Sequence, residues 1–210
     1  MFRFEKDMLP VIEEKIGRRY KSVKCIREFN SGNGISDLTF AVFNNKKLEI
    51  SIQNYAEMYY LITFFNKLGE KICVDDLMSI QNLNRQTLVS LVQKLAQNNF
   101  VIEKDGYCIV KKLYRSAFKN IISIEAKLKK WRDGFYQAMR YKCFSHKSYL
   151  AVPEIYINNV DNRLLIENNI GLISVVNDAV RIVIEPRSEK PKDLVSFYHL
   201  SENMYFSNIA

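Results

Sequence analysis

The chain has 210 residues, enough for one good core or for one core with a small satellite domain. Hydrophobic residues make up 48% and charged residues 26%, a balance that excludes general disorder. The formal net charge of +8 favours an anionic partner such as nucleic acid, although charge speaks to association and not to chemistry.

Met8, Val11, Ile12, Ile16 and Tyr20 recur at helical spacing and predict an amphipathic helix over residues 5–20. Residues 24–29 read as a strand, and Asn30, Ser31, Gly32, Asn33 and Gly34 as a loop. A second strand is expected over 37–43, closing at Asn44-Asn45, and a third over the alternating residues 47–52.

The character then changes. An aromatic-rich helix is expected over 55–68, a short helix over 74–78 and, after Gln81-Asn82, a longer helix over 85–98. The longer helix sets Leu88, Leu91, Val92 and Leu95 on one face. Residues 100–103 and 107–110 flank Asp105-Gly106 and predict a β-hairpin. Three helices followed by a hairpin is the order of a winged helix-turn-helix. Residues 54–114 therefore read as an insertion into a core made of 1–53 and 115–210.

After a basic stretch (Lys111, Lys112, Arg115, Lys119), the pattern predicts a β-rich run over 121–128 and a helix over 133–142. A strand over 148–152, a helix over 158–167 and strands over 170–176 and 179–184 follow. The tail after Pro186 carries little signal and is expected to pack loosely. Trp131 is placed as the anchor of a helix start, and His146 as a surface residue of the loop before a strand. Cys25, Cys73, Cys108 and Cys143 form no C-x-x-C pair, so core thiols are expected and a zinc site is not. No apolar run is long enough to span a bilayer, and the mixed-charge N-terminus has no signal-peptide core. The expectation is a cytoplasmic protein without membrane partners.

The residues that bear on chemistry are split by the insertion. Asp37 enters one strand, and Glu125-Ala126-Lys127 interrupts the apolar run Ile121, Ile122, Ile124 and Leu128 on another. Mg²⁺ takes oxygen ligands, usually one or two carboxylates with water and phosphate oxygens. Asp37 and Glu125 would supply the carboxylates on adjacent strands, with the carbonyl of Ala126 beside them. Strand alternation sends Glu125 and Lys127 to one face, where Lys127 would orient or help deprotonate an attacking water.

In order, Glu14 on the first helix, Asp37, Glu125 and Lys127, then Gln137 with Tyr141 at Gln-x-x-x-Tyr spacing, resemble the PD-(D/E)XK nuclease superfamily. Ser36 stands where the name-giving proline would be. The resemblance covers residues 1–53 and 115–185. It implies an α/β, restriction-endonuclease-like fold, a mixed β-sheet flanked by helices. It also implies dependence on Mg²⁺, or Mn²⁺, and hydrolysis of DNA phosphodiesters. Glu14 would be a further metal-facing carboxylate, and Gln137 would contact the nucleotide or the active-site network. In the inserted module, Arg85, Gln86, Ser90 and Gln93 suit base-edge contacts in the major groove, while Lys94 and Lys104 suit phosphates. Double-stranded DNA is the expected partner, with a homodimer where both strands are cut. The alternative is a non-catalytic DNA-binding or regulatory protein that uses a nuclease-like core as an assembly platform.

Overall fold

The computed structural model of the chain describes residues 2–20, 23–30, 32, 34–44, 47–80 and 84–207. Ser31 and Asn33 of the expected loop, Asn45 of the expected turn, and the break at Gln81-Asn82 lie outside the described residues. Residues 1–45 and 118–200 form one unit, and residues 46–117 and 201–210 form a second.

A 3₁₀ turn, Glu5–Asp7, precedes α1 (Leu9–Arg19), β1 (Val23–Asn30) and β2 (Ile35–Phe43). The next elements are α2 (Tyr55–Phe64), β3 (Lys71–Cys73), α3 (Val74–Ser79), α4 (Arg85–Gln97), β4 (Val101–Lys104) and β5 (Tyr107–Val110). Then come β6 (Phe118–Ala126), α5 (Trp131–Tyr141), β7 (Lys147–Pro153), α6 (Asn162–Glu167), β8 (Gly171–Val175), β9 (Val180–Ile184) and α7 (Leu194–Phe206).

The first unit is built on a six-stranded mixed sheet in the order β1-β2-β6-β7-β8-β9. β6, β7 and β8 run parallel, and the flanking pairs are antiparallel. Parallel neighbours require crossovers, and α5 and α6 supply them after β6 and β7. Such strands are covered on both faces, which is why β7 and β8 read as apolar runs rather than as alternations. Alternation nevertheless sorts their side chains. Leu38, Phe40, Ile122, Ile124, Tyr149, Ala151 and Ile173 pack in one core with Met8, Ile12 and Ile16 of the α1 layer. Leu150, Val152 and Leu172 pack in a second core with Trp131, Phe135 and Ala138 of α5 and Leu165 of α6. α1 starts with Pro10 in its first turn and ends on Arg18 and Arg19, both favourable placements.

The second unit holds α2, α3, α4 and a three-stranded antiparallel sheet in the order β3-β5-β4. Asn54 and Asn84 cap α2 and α4 by accepting from backbone N–H groups one turn inside. The β4–β5 turn has φ of 51° at Asp105 and 76° at Gly106, the positive pair that a two-residue hairpin turn needs.

Several expectations are corrected. Residues 47–52 bury Ile50 and Ile52 but join no strand ladder among the described residues, and they belong to the second unit. Alternation alone marked that segment, and alternating burial does not require a partner strand. The aromatic helix stops at Phe64, four positions early. Asp161 caps α6, accepting from Arg163 and Leu164 N–H, so the helix expected from 158 starts later, after a 3₁₀ turn at Glu154–Asn159. The tail is not loose, because α7 buries Phe197, Leu200 and Met204. β3 was not anticipated; three residues give no period to read.

Candidate active site

The register of β2 against β6 brings the split residues together. Leu38 pairs with Ile124, so the next positions outward are Asp37 and Glu125. Leu38 and Ile124 face the α1 core, and alternation turns Asp37 and Glu125 to the α5 side. On the other flank of β2, Arg27 pairs with Leu38 and Phe29 with Ser36, which sets Glu28 opposite Asp37. Glu28 has φ of 50°, uncommon for a residue with a side chain.

Hydrogen bonds then fix the group. The backbone N–H of Ala126 donates to Asp37 Oδ2 at 2.7 Å. Lys127 Nζ lies 2.7 Å from Glu125 Oε1, and the Tyr141 hydroxyl donates to Glu125 Oε2 at 2.6 Å. The same hydroxyl is 2.5 Å from the carbonyl of Ile35 at the head of β2. Glu5, from the 3₁₀ turn before α1, accepts from the N–H of Leu128 at 3.2 Å and stands 3.6 Å from Lys127 Nζ. Glu125 is 1% exposed, so its contacts with Lys127 and Tyr141 act out of bulk water. Gly134 makes room for them. A Cβ there would lie 2.6 Å from both Lys127 Cγ and Leu150 Cδ1.

The electrostatics are those of a site short of positive charge. Burial raises the Asp37 carboxyl above its ordinary range, with Glu5 and Glu28 adding to the shift and the Ala126 N–H and Lys127 opposing it. Glu125 is raised by burial and then by Asp37, against the pull of Lys127 and Tyr141. Burial would lower Lys127, but Glu125, Glu5 and Asp37 together hold its ammonium above the ordinary value. This favours the ammonium form of Lys127, the form that orients water and stabilises charge. Among the described residues no group of three or more His, Cys, Asp or Glu is gathered as a metal cage. The donors on hand are two close carboxylates and the backbone at Ala126, a set that suits a hard cation completed by water or phosphate oxygens.

The other expected residues separate. Glu14 is out of the group: it pairs with Arg18 at 2.8 Å and with Lys15 at 3.4 Å on the solvent side of α1. Glu5 stands by Lys127 instead. Gln137 is half-buried on α5, one turn before Tyr141. In the second unit, Arg85, Gln86, Gln93 and Lys104 are exposed. Ser90 and Lys94 instead serve Glu57 on α2, a buried carboxylate, at 2.9 Å and 2.6 Å, so these polar atoms are spent inside the module. They follow the i, i+4 spacing of the helix's inner edge, a feature that polarity alone does not reveal. His146 is half-buried rather than at the surface. Its Nδ1 accepts from the Ile121 N–H at 3.1 Å, its ring meets Phe197, and burial lowers its pKa. Trp131 opens α5 and is buried, as expected. Cys108 is buried, and Cys25, Cys73 and Cys143 are half-buried free thiols.

Sequence reasoning missed Glu5, Glu28 and Gly134. Counting strand register outward from Asp37 finds Glu28; nothing local marks Glu5, because the chain returns to β6 only in three dimensions. No helix among the described residues is long and apolar enough to cross a membrane. Comparison with known proteins gives no matching family model, no matching curated protein and no matching solved structure.

Proposed function

We propose that the first unit is a divalent-cation-dependent DNA endonuclease with a restriction-endonuclease-like core of the PD-(D/E)XK kind. The observation that carries this reading is the Asp37–Glu125–Lys127 group where β2 meets β6, with Glu125 buried, Asp37 and Lys127 half-buried, and both carboxyls raised by burial and repulsion. A structural ion pair would need only Glu125 and Lys127. The adjacent Asp37 adds repulsion that a cation would relieve, and this favours a binding site over a strut.

Asp37 and Glu125 would hold Mg²⁺, or Mn²⁺ in its place, with the carbonyl of Ala126 alongside. When bound, the ion neutralises charge on the scissile phosphate and lowers the pKa of water. The protein's own residues do the rest. The Ala126 N–H holds one oxygen of Asp37, Tyr141 holds one oxygen of Glu125, and Lys127 presents an ammonium to the negative charge that develops at phosphorus. Glu5 steadies Lys127 from the other side.

The second unit would act as a winged helix-turn-helix that grips duplex DNA, with Arg85, Gln86 and Gln93 of α4 at base edges and Lys104 of the β4–β5 turn on a phosphate. A homodimer would let the protein cut both strands. The test is a plasmid-nicking assay with Mg²⁺, Mn²⁺ or EDTA, beside Asp37→Ala and Lys127→Ala. Metal-dependent nicking that both substitutions abolish is the expected result. Nicking that persists in both variants sinks the site, and binding of DNA without any cleavage favours the non-catalytic alternative.

A further inference from the structure

α5 has a second face that the site does not use. Trp131, Gly134, Phe135, Ala138 and Tyr141 are buried, the last reaching Glu125. Arg132, Tyr136 and Arg140 are exposed, and their i, i+4, i+8 spacing sets them in one stripe along the helix. Tyr136 is 63% exposed, the most of any large hydrophobic side chain among the described residues.

Two observations give this stripe a partner of stated charge. None of the ion pairs among the described residues involves Arg132, Arg140, or Lys129 and Lys130 just before the helix. By contrast Arg19, Arg27, Lys142 and Arg181 of the same unit each sit on a carboxylate. The stripe is also held in place. The Arg132 guanidinium lies 4.7 Å over the Trp131 ring, and the Tyr136 ring meets Phe135 edge-on at 5.3 Å. Lys129 lies 5.7 Å over the Tyr156 ring. Uncompensated cations on either side of a braced, exposed aromatic ring match a polyanion whose monomers carry a planar face. Single-stranded nucleic acid is that polymer, bound by backbone neutralisation and base stacking. Arg132 and Arg140 are separated by about 12 Å along the helix axis, with Tyr136 midway between them.

We infer that the outer stripe of α5 is a track for an unpaired DNA strand, with Tyr136 stacking on a base and Arg132 and Arg140 neutralising the phosphates on either side. The inference rests on the DNA-directed reading of this unit. It narrows the substrate class to DNA with an unpaired segment beside the scissile position.

The test is fluorescence anisotropy of the full chain with a labelled single-stranded DNA oligonucleotide, a blunt duplex of the same sequence and the matching RNA, all in EDTA. Tyr136→Ala should weaken single-strand binding about tenfold and leave duplex binding unchanged, while Tyr136→Phe keeps the affinity. Arg132→Gln with Arg140→Gln should flatten the log–log salt dependence by about 1.4 on the single strand. Melting curves check that these exposed substitutions leave the fold intact. Unchanged single-strand affinity in Tyr136→Ala, an equal loss on the duplex, or tighter binding of RNA than of DNA overturns the inference. Binding is read without a divalent cation, so a wild-type protein that fails to cut DNA sinks the nuclease reading and leaves this result standing.

Discussion

Tyr141→Phe deletes a single hydroxyl, and its consequences follow from two short contacts. That hydroxyl donates to Glu125 Oε2 at 2.6 Å and lies 2.5 Å from the Ile35 carbonyl, between two strands that are far apart in sequence. A hydrogen bond to a charged acceptor contributes about 1.5–3 kcal/mol, and here the acceptor is buried. Unfolding in urea should therefore show a loss of about 2 kcal/mol. The sign for titration is equally fixed. Tyr141 is one of the groups that hold the Glu125 carboxyl down against burial and Asp37. Without it the carboxyl rises further, because one donor to its ionised form is gone. Because the proposed mechanism uses ionised Glu125, the acid limb of the nicking rate moves to higher pH, and activity recovers as the pH is raised. The stability gap between wild type and variant should widen with rising pH, since the lost bond favours the ionised form. A variant with stability within about 0.5 kcal/mol of wild type and an unmoved acid limb would refute the role given to this hydroxyl.

Gly134→Ala forces a methyl group against Leu150 and the stem of Lys127, and should cost about 1–3 kcal/mol in thermal unfolding while slowing nicking through displacement of the ammonium. In the second unit, burial pushes the Glu202 carboxyl up to about 7 from an ordinary 4.5, with Tyr114 donating to it. The unfolded chain therefore loses this proton first, and stability falls as pH rises from about 4.5 to about 7. Glu202→Gln removes that slope, so calorimetric unfolding should find it more stable than wild type by up to about 3 kcal/mol above the window, with the gain fading below it. Glu5→Ala should slow nicking by about tenfold through loss of its hold on Lys127, whereas Glu14→Ala should stay within about twofold of wild type.

Much of the fold was legible because the amphipathic helices repeat their period and the central strands stand out as apolar runs. Leu88, Leu91, Val92 and Leu95 lie on the buried side of α4 as their spacing required. The failures lie where period and packing part company. Residues 47–52 alternate in burial as a strand does, but a ladder needs a neighbour, and no local pattern supplies one. The tail after Pro186 mixes polar and apolar residues with no clear helical period, so α7 became visible only through its own buried side chains, Phe197, Leu200 and Met204.

The candidate site divides along the same line. Asp37, Glu125 and Lys127 were legible as candidates because strand alternation is local and sets Glu125 and Lys127 on one face. Their adjacency depends on register, and the Ala126 N–H reaches Asp37 across 89 positions of sequence. Once Leu38 is known to face Ile124, the acidic row across β1, β2 and β6 follows by counting, Glu28 included. Glu14 lies within a turn of the apolar face of α1 through Val11 and Ile12, but a helix turns a side chain away within one residue. Arg18, one turn on, captured it. Glu5 is in place because the 3₁₀ turn lets it reach the end of β6, where it meets both the Leu128 N–H and Lys127. The carboxylates that matter are thus chosen by where strand ends meet, and charge in a sequence identifies candidates only after that meeting point is known.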